Sequence, residues 1–192
     1  MEAILDALNS GKIRNIKPSV VISNNPDAAG LRVASQKFGV PTEAVITSGL
    51  KGWDYDQKIA DVLNQYSVSP HNGLICLAGY MRIMSINFVR QYKMRILNIH
   101  PSLLPSFPGL HAQKQAIEYG VKVSGCTVHF IDENIDTGPI LLQKPVAVLD
   151  SDTEETLSAR ILEQEHQIYP EAIRLFSEGK IRINGRKISI ED

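Results

Sequence analysis

The sequence is poor in several features that would each indicate a particular class of protein. Only two cysteines occur among its 192 residues, Cys76 and Cys126, and each lies within an apolar run. Two thiols so far apart in probable core strands favour a reducing compartment over a disulfide scaffold or a cysteine metal site. No apolar run approaches the ~20 residues that a membrane helix needs. We therefore expect a cytoplasmic protein without a membrane partner.

An excess of charge of one sign is also missing. The chain carries 20 basic and 21 acidic residues, a net charge of -1, and no block of like charge stands out. Proteins that bind nucleic acid usually display a basic patch or stripe, so this balance predicts no nucleic-acid partner. Met1 leads directly into EAILDAL. This start lacks the basic segment and apolar block of a signal peptide, so we expect none.

Metal-ligand spacing is the third missing feature. The five histidines are His71, His100, His111, His129 and His166. No pair has the spacing of a helical zinc motif, and neither cysteine is near enough in sequence to complete a ligand pattern. The sequence therefore predicts no metal.

What the chain does contain is an alternation of helical and strand patterns. Apolar spacing predicts helices over 2–10 and over 86–92. It also predicts a helix that ends at residue 38 and another that begins near residue 54. Short apolar runs between them predict strands at 19–23, 44–46, 73–79 and 95–99. Helices that alternate with strands predict an α/β fold with a mostly parallel central sheet and helices on both faces.

The second half of the chain continues with fewer helices. The patterns predict a helix over 112–119, strands at 126–131 and 140–148, and a helix that starts near Thr153. Pro170 either kinks that helix or opens a second one. The end of the chain, IRINGRKISI, predicts a C-terminal β-hairpin. Because no linker or repeat is visible, we expect a single domain over 1–192.

Asn98 and His100 stand out as candidates for chemistry. They lie two apart on a strand that ends at Pro101, so their side chains share one face and supply two hydrogen-bond donors. Asp136, in a loop closed by Gly138, is a carboxylate that can approach the imidazole and hold it protonated. From spacing alone, a core histidine with one satisfied nitrogen fits His100 as well as a catalytic role does, and Asp136 shifts the balance slightly toward catalysis. Asp136 itself also fits a plain turn residue before Gly138.

Four segments of the chain resemble one family. These are AGYMRIMS (78–85), NIHPSLLPSFPGLHAQKQA (98–116), SGCTVHFIDENIDTGPILLQ (124–143) and EHQIYP (165–170). They are similar to glycinamide ribonucleotide transformylase, the folate-dependent formyltransferase of purine synthesis, and the similarity runs over nearly the whole chain. The resemblance implies a Rossmann-like formyltransferase fold and an enzyme that passes the formyl group of 10-formyltetrahydrofolate to the amine of glycinamide ribonucleotide.

The same resemblance implies roles for particular residues. Asn98, His100 and Asp136 match the family's catalytic triad, in which Asn98 and protonated His100 donate to the oxyanion of the tetrahedral intermediate while Asp136 keeps the imidazole charged. Glycinamide ribonucleotide contacts match Gly79, Ile99, Pro101 and Glu165, with Glu165 at the amine. Folate contacts match Met81, Arg82, Ile83, Met84, Leu97, Asn98, Ile131, Asp132, Glu133, Asn134, Ile135 and Asp136. The family needs no metal, and its members are monomers or homodimers.

Two departures from the family pattern keep alternatives open. Met1 matches a point just inside the family's first helix, so the first strand and its glycine-rich phosphate loop have no counterpart in this sequence. Gly52 stands where many members have an arginine near the folate tail. The missing strand and loop prompt one alternative, a non-catalytic folate-binding fragment. Formyltetrahydrofolate deformylase, in which water replaces the amine, is the nearest enzyme alternative.

Overall fold

The computed structural model describes residues 1–191, which contain six helices and eight strands. The helices are α1 (Glu2–Asn9), α2 (Ala29–Phe38), α3 (Trp53–Gln65), α4 (Ile86–Gln91), α5 (Ala112–Tyr119) and α6 (Glu154–Ser177). The strands are β1 (Val21–Ser23), β2 (Thr42–Ala44), β3 (Ile75–Cys76), β4 (Ile96–His100), β5 (Val123–Phe130), β6 (Ile140–Ala147), β7 (Ile181–Asn184) and β8 (Lys187–Ile190). The predicted α/β class and the C-terminal hairpin are confirmed.

The largest sheet is mixed rather than mostly parallel. Its strand order is β3-β4-β5-β6, in which β3 and β4 are parallel while β5 runs antiparallel to both of its neighbours. The loop between β5 and β6 spans only 131–139, and a connection this short joins antiparallel strands. The parallel arrangement therefore holds only for the β-α-β units of the first half.

Strands β1 and β2 form a separate parallel pair. Within residues 1–191, β1 pairs only with β2 and β3 pairs only with β4. The apolar run 73–79 predicted a strand covered on both faces, whereas β3 has two residues, both half-buried. A strand that has a partner on one side only makes half of the possible ladder, which explains why the apolar run forms so little regular strand.

Strand β4 lies at the centre of the packing. Its consecutive residues Ile96 and Leu97 are both fully buried and point to opposite faces of the sheet. Ile96 belongs to the apolar cluster of α3 and α4. Leu97 belongs to the cluster of α1, α5 and α6. Helices thus cover both faces of β4 and fix the position of the residues that follow.

Helix α6 is one continuous 24-residue helix, although Pro170 lies inside it. Thr153 caps its start: the Thr153 hydroxyl accepts from the Thr156 amide at 3.3 Å, and the Thr156 hydroxyl accepts from the Thr153 amide at 2.9 Å. The buried Tyr169 hydroxyl lies 2.8 Å from the carbonyl oxygens of Leu77 and Leu97. This contact ties α6 to β4 and to the residue that follows β3.

Both cysteines are free thiols, and burial raises the pKa of each to about 12. Thiols with so high a pKa stay protonated at neutral pH and are poor nucleophiles. Within residues 1–191, none of the helices combines the length and apolar character that crossing a membrane requires.

Candidate active site

The pairing of β4 with β5 places a second histidine at the predicted site. Asn98 and His129 are direct cross-strand partners in this antiparallel pair. Facing residues of such a pair bring their side chains together. The Asn98 Nδ2 atom lies 3.3 Å from the His129 Nε2 atom. On its other side, the His129 Nδ1 atom lies 3.0 Å from the Phe130 carbonyl oxygen, and the ring is fully buried.

His100 closes β4 with its ring between two oxygen atoms. Its Nδ1 atom lies 3.4 Å from Asp136 Oδ2, and its Nε2 atom lies 2.8 Å from the Phe107 carbonyl oxygen. Only the doubly protonated ring can donate a hydrogen bond to both oxygens. The side chain is 5% exposed, so water contributes little to this arrangement.

Asp136 is held in a tight loop between β5 and β6. Its backbone adopts a positive φ of 52°, a conformation that is uncommon for residues other than glycine. A Cβ atom on the nearby Gly138 would overlap the Phe130 carbonyl oxygen, so only glycine fits there. The loop turns the Asp136 carboxylate inward, where Oδ2 accepts a 2.8 Å hydrogen bond from the Gly109 amide.

The Asp136 carboxylate lies between the two buried histidines. Its Oδ2 atom faces His100, and its Oδ1 atom lies 3.6 Å from His129 Nε2. Burial lowers the pKa of His129, against the raising effects of the Phe130 carbonyl and of Asp136. We therefore interpret the His129 contact as a neutral ring beside a carboxylate rather than as an ion pair. Two of the site's side chains, those of His100 and His129, thus meet at one carboxylate.

Thr127 fixes the loop that follows β4. Its hydroxyl donates to the Ser102 carbonyl at 2.7 Å and accepts from the Leu104 amide at 3.0 Å. Gln143 of β6 donates to the same hydroxyl at 3.0 Å and to the Leu104 carbonyl at 2.8 Å. These buried contacts tie the start of the Pro-rich loop to β5 and β6, which positions Phe107 and Gly109 further along it.

Three of the four residues predicted to bind glycinamide ribonucleotide line one cavity. Gly79, Ile99 and Glu165 border a cavity of about 250 Å³ between α1, α6 and the end of β3. Pro101 is not part of this lining. Burial raises the pKa of Glu165, while the nearby Met1 ammonium group acts in the opposite direction. A partly buried carboxylate of this kind is suited to a cationic or amine-bearing ligand.

The residues predicted to bind folate lie mainly on two loops that meet over one apolar cluster. Met84 and Ile131 both pack against the cluster around Phe88. Met81 and Ile83 are 78% and 75% exposed, so their side chains are available to a flat apolar ligand. The Arg82 guanidinium instead lies over the Tyr55 ring, 4.4 Å from its centroid.

The other predicted folate residues differ in what they offer to a ligand. Leu97 is fully buried, so its side chain is core. Asp132 accepts from the Asn134 amide at 3.1 Å and from the Thr137 hydroxyl at 2.6 Å, which shapes the loop from within. Glu133 forms a bidentate ion pair with Arg90 of α4, at 2.8 and 2.9 Å, on the exposed side. Asn134 and Ile135 are exposed at the loop tip.

Sequence reasoning missed His129, Thr127, Phe107 and Gly109. The alternation of Thr127 and His129 within a predicted strand places both on one face. That signal could have grouped them, but it does not tell which strand lies opposite. Within residues 1–191, no three or more His, Cys, Asp or Glu side chains come together in a way that could hold a metal ion.

The family model for formyl transferase matches residues 1–173. The chain belongs to the formyl transferase family. Phosphoribosylglycinamide formyltransferase of Escherichia coli is 40% identical over 185 residues, which cover 96% of this chain and 84% of that protein. The crystal structure of glycinamide ribonucleotide transformylase 1 from Symbiobacterium toebii superimposes with a TM-score of 0.92 at 49% identity, covering 100% of this chain and 88% of that one. The predicted resemblance is confirmed.

Some formyl transferase relatives are much longer than this chain. The trifunctional purine biosynthetic protein adenosine-3 of Drosophila pseudoobscura pseudoobscura is 43% identical over 95% of this chain, but the chain spans only 13% of that protein. A crystal structure of a formyltetrahydrofolate deformylase from Pseudomonas syringae also superimposes, with a TM-score of 0.88 at 26% identity over 100% of this chain and 61% of that one. The fold is therefore common to transferase and deformylase.

Proposed function

We propose that this formyltransferase moves the formyl group of 10-formyltetrahydrofolate to the primary amine of glycinamide ribonucleotide, a step of de novo purine biosynthesis. Two observations carry the proposal. The Asp136 carboxylate contacts His100 and His129, and His129 contacts Asn98. A cavity lined by Ile99 of the same strand also contains the partly buried Glu165. The reaction requires donors for a developing oxyanion and a binding site for an amine-bearing substrate.

The mechanism follows from the donors at the end of β4. The amine nitrogen attacks the formyl carbon, and the carbonyl oxygen becomes an oxyanion in the tetrahedral intermediate. Asn98 and His100 donate hydrogen bonds to it. The bond between the formyl carbon and the folate nitrogen then breaks, and the amine's proton passes to that nitrogen, with a water assisting. Because His100 Nε2 contacts the Phe107 carbonyl, the oxyanion must replace this carbonyl as the acceptor.

Asp136 and Glu165 have separate roles in this proposal. Asp136 stabilises the doubly protonated His100 ring through the 3.4 Å contact with Nδ1. Glu165 binds the amine end of glycinamide ribonucleotide in the cavity that it shares with Gly79 and Ile99. The family resemblance adds Pro101 to these contacts. The folate lies across the loops 81–84 and 131–136, where Met81, Ile83 and Ile135 are exposed.

The deciding experiment compares two acceptors for the formyl group. The purified chain is incubated with 10-formyltetrahydrofolate, with and without glycinamide ribonucleotide, and both the formylated amine and free formate are quantified. We expect formylated product only with the ribonucleotide, and little formate. Formate release that does not depend on the ribonucleotide would favour deformylase activity.

The alternative that this chain is a non-catalytic folate-binding fragment is tested by titrating the chain with a folate analogue and with glycinamide ribonucleotide separately. We expect both to bind. Binding of the folate analogue alone, without turnover, would favour the fragment. We further propose a single domain over 1–192 that acts in the cytoplasm, as a monomer or homodimer, without a metal, nucleic acid or membrane.

A further inference from the structure

We propose that His129 is a positioning residue for this reaction: its ring fixes the orientation of the Asn98 amide, so that an N–H group of Asn98 faces the oxyanion. This inference deepens the proposed function and rests on it. Its basis is the chain of contacts from the Phe130 carbonyl through the His129 ring to Asn98.

The first step concerns the protonated nitrogen of His129. The Phe130 carbonyl oxygen can only accept, and it lies 3.0 Å from Nδ1, so Nδ1 carries the hydrogen. In the neutral ring, Nε2 then bears a lone pair and can only accept. Full burial of the ring disfavours the cation and lowers its pKa.

The second step concerns the amide of Asn98. An asparagine side chain presents either its oxygen or its nitrogen to a neighbour, and only the nitrogen can donate to the Nε2 lone pair. At 3.3 Å from Nε2, the Asn98 Nδ2 atom uses one of its two hydrogens on His129. The second hydrogen remains for the oxyanion. With the amide reversed, the Asn98 oxygen would take that place and repel the developing negative charge.

The groups around His129 determine how the orientation of the Asn98 amide responds to pH. Asp136 Oδ1 lies 3.6 Å from Nε2 and favours the charged ring, as does Asp132. His100 and burial oppose the charge. If acid protonates His129, Nε2 becomes a donor that prefers the Asn98 oxygen, and the amide reverses. We therefore expect kcat to fall at acidic pH as His129 becomes protonated.

The test is a double-mutant cycle between His129 and Asn98. His129→Gln keeps an acceptor oxygen near the position of Nε2, whereas His129→Asn keeps only a donor near the position of Nδ1. Removing an oxyanion donor typically costs about 10²–10³-fold in kcat. We expect His129→Asn to lower kcat toward this range with KM for both substrates nearly unchanged, and His129→Gln to recover most of the rate.

The Asn98→Ala background separates positioning from general structure. If His129 acts through Asn98, adding His129→Asn to Asn98→Ala causes little further loss, because coupled residues are not additive. The acid limb of the kcat profile also disappears in that background. An equal loss in both backgrounds would show a merely structural role and would overturn the inference.

A measurement on the wild-type chain covers the case in which the variants fail to fold. Nitrogen-15 NMR of the histidine rings reports which nitrogen of each ring is protonated. We expect a neutral His129 with its hydrogen on Nδ1 over the pH range of activity. A hydrogen on Nε2 would overturn the inference. This readout does not need turnover, so it is distinguishable from a failure of the proposed reaction.

Discussion

The two parallel strand pairs within residues 1–191 differ in how firmly they are held. Strand β4 has a partner on each side, and its residues are covered by helices on both faces. Strand β1 is three residues long, is half-buried throughout and has one partner within residues 1–191. Asn98 and His100 lie on β4. The cavity that contains Glu165 is instead lined partly by α1 and by the residues that follow β3.

This difference separates chemistry from binding. The groups proposed for the transition state are fixed by strand register and by buried hydrogen bonds. Two groups proposed for the ribonucleotide, Gly79 and Glu165, instead lie where β3 has only one partner within residues 1–191, and on α6. We therefore expect substitutions around β4 and β5 to act mainly on kcat, and substitutions around the cavity to act on binding and stability.

The largest effect is expected for His100→Ala. This substitution removes one proposed donor to the oxyanion, and such a loss typically lowers kcat by about 10²–10³-fold. The measurement is steady-state formyl transfer, with the melting temperature as the check on folding. His71→Ala is the matched control, because His71 is exposed in the turn before β3. Near-wild-type turnover by His100→Ala would exclude the proposed role.

Gly138→Ala tests whether the loop after β5 must hold Asp136 in place. The added Cβ would overlap the Phe130 carbonyl, so the loop must shift. A displacement of ~1 Å at a catalytic group can cost about 10²-fold in rate. We expect kcat to fall by up to this factor.

Gly30→Ala provides the comparison from the other region. In helix α2 the new methyl group would meet only the end of the Met1 side chain, at 3.4 Å. Alanine is the better helix former, by roughly 0.5–1 kcal/mol. We expect a small gain in stability and unchanged kcat. Equal losses of kcat in Gly30→Ala and Gly138→Ala would contradict the distinction between the two regions.

Thr127→Val tests the anchor of the Pro-rich loop. It removes the hydroxyl that accepts from the Leu104 amide and leaves this buried amide unpaired, at a cost of about 1–3 kcal/mol. Ser124→Ala on the same strand is the control. The buried Ser124 hydroxyl has no hydrogen-bond partner within residues 1–191, so its removal should change stability by less than about 1 kcal/mol. Urea unfolding of both variants measures the difference.

The smallest effect is a dependence of stability on pH through Glu165. Because burial raises its pKa above the ordinary 4.5, the folded state holds its proton more tightly than the unfolded chain does. Stability from this source is present below pH 4.5 and is lost as the pH rises through the raised pKa. Glu165→Gln should therefore gain stability relative to wild type as the pH increases. A difference that is constant with pH would show that the carboxylate is not penalised by burial.

Local patterns predicted elements well where burial and pairing agree. The pattern over 112–119 matches α5 residue for residue. The apolar run 73–79 predicted burial but not pairing, so it overestimated β3. The sequence around Pro170 did not show that α6 continues through it. The helix is stabilised by its packing against the sheet, which a local pattern does not reveal.

The site was predictable in part for the same reason. The sequence predicts that Asn98 and His100 share one face of a strand and that Asp136 lies in a loop closed by glycine. The family motifs add the roles of these residues. His129 could not be assigned, because its position opposite Asn98 depends on the order and register of strands that are distant along the chain. The Phe107 carbonyl and the Gly109 amide are backbone groups, which residue identity does not reveal.

The most direct test of this account is the rate of formyl transfer to glycinamide ribonucleotide by Asp136→Asn. Asp136 contacts His100, His129 and the Gly109 amide at once, and the asparagine keeps its shape while removing its charge. We predict a loss of about 10²-fold or more in kcat. A wild-type rate in a folded Asp136→Asn protein would contradict the claim that one carboxylate organises the site.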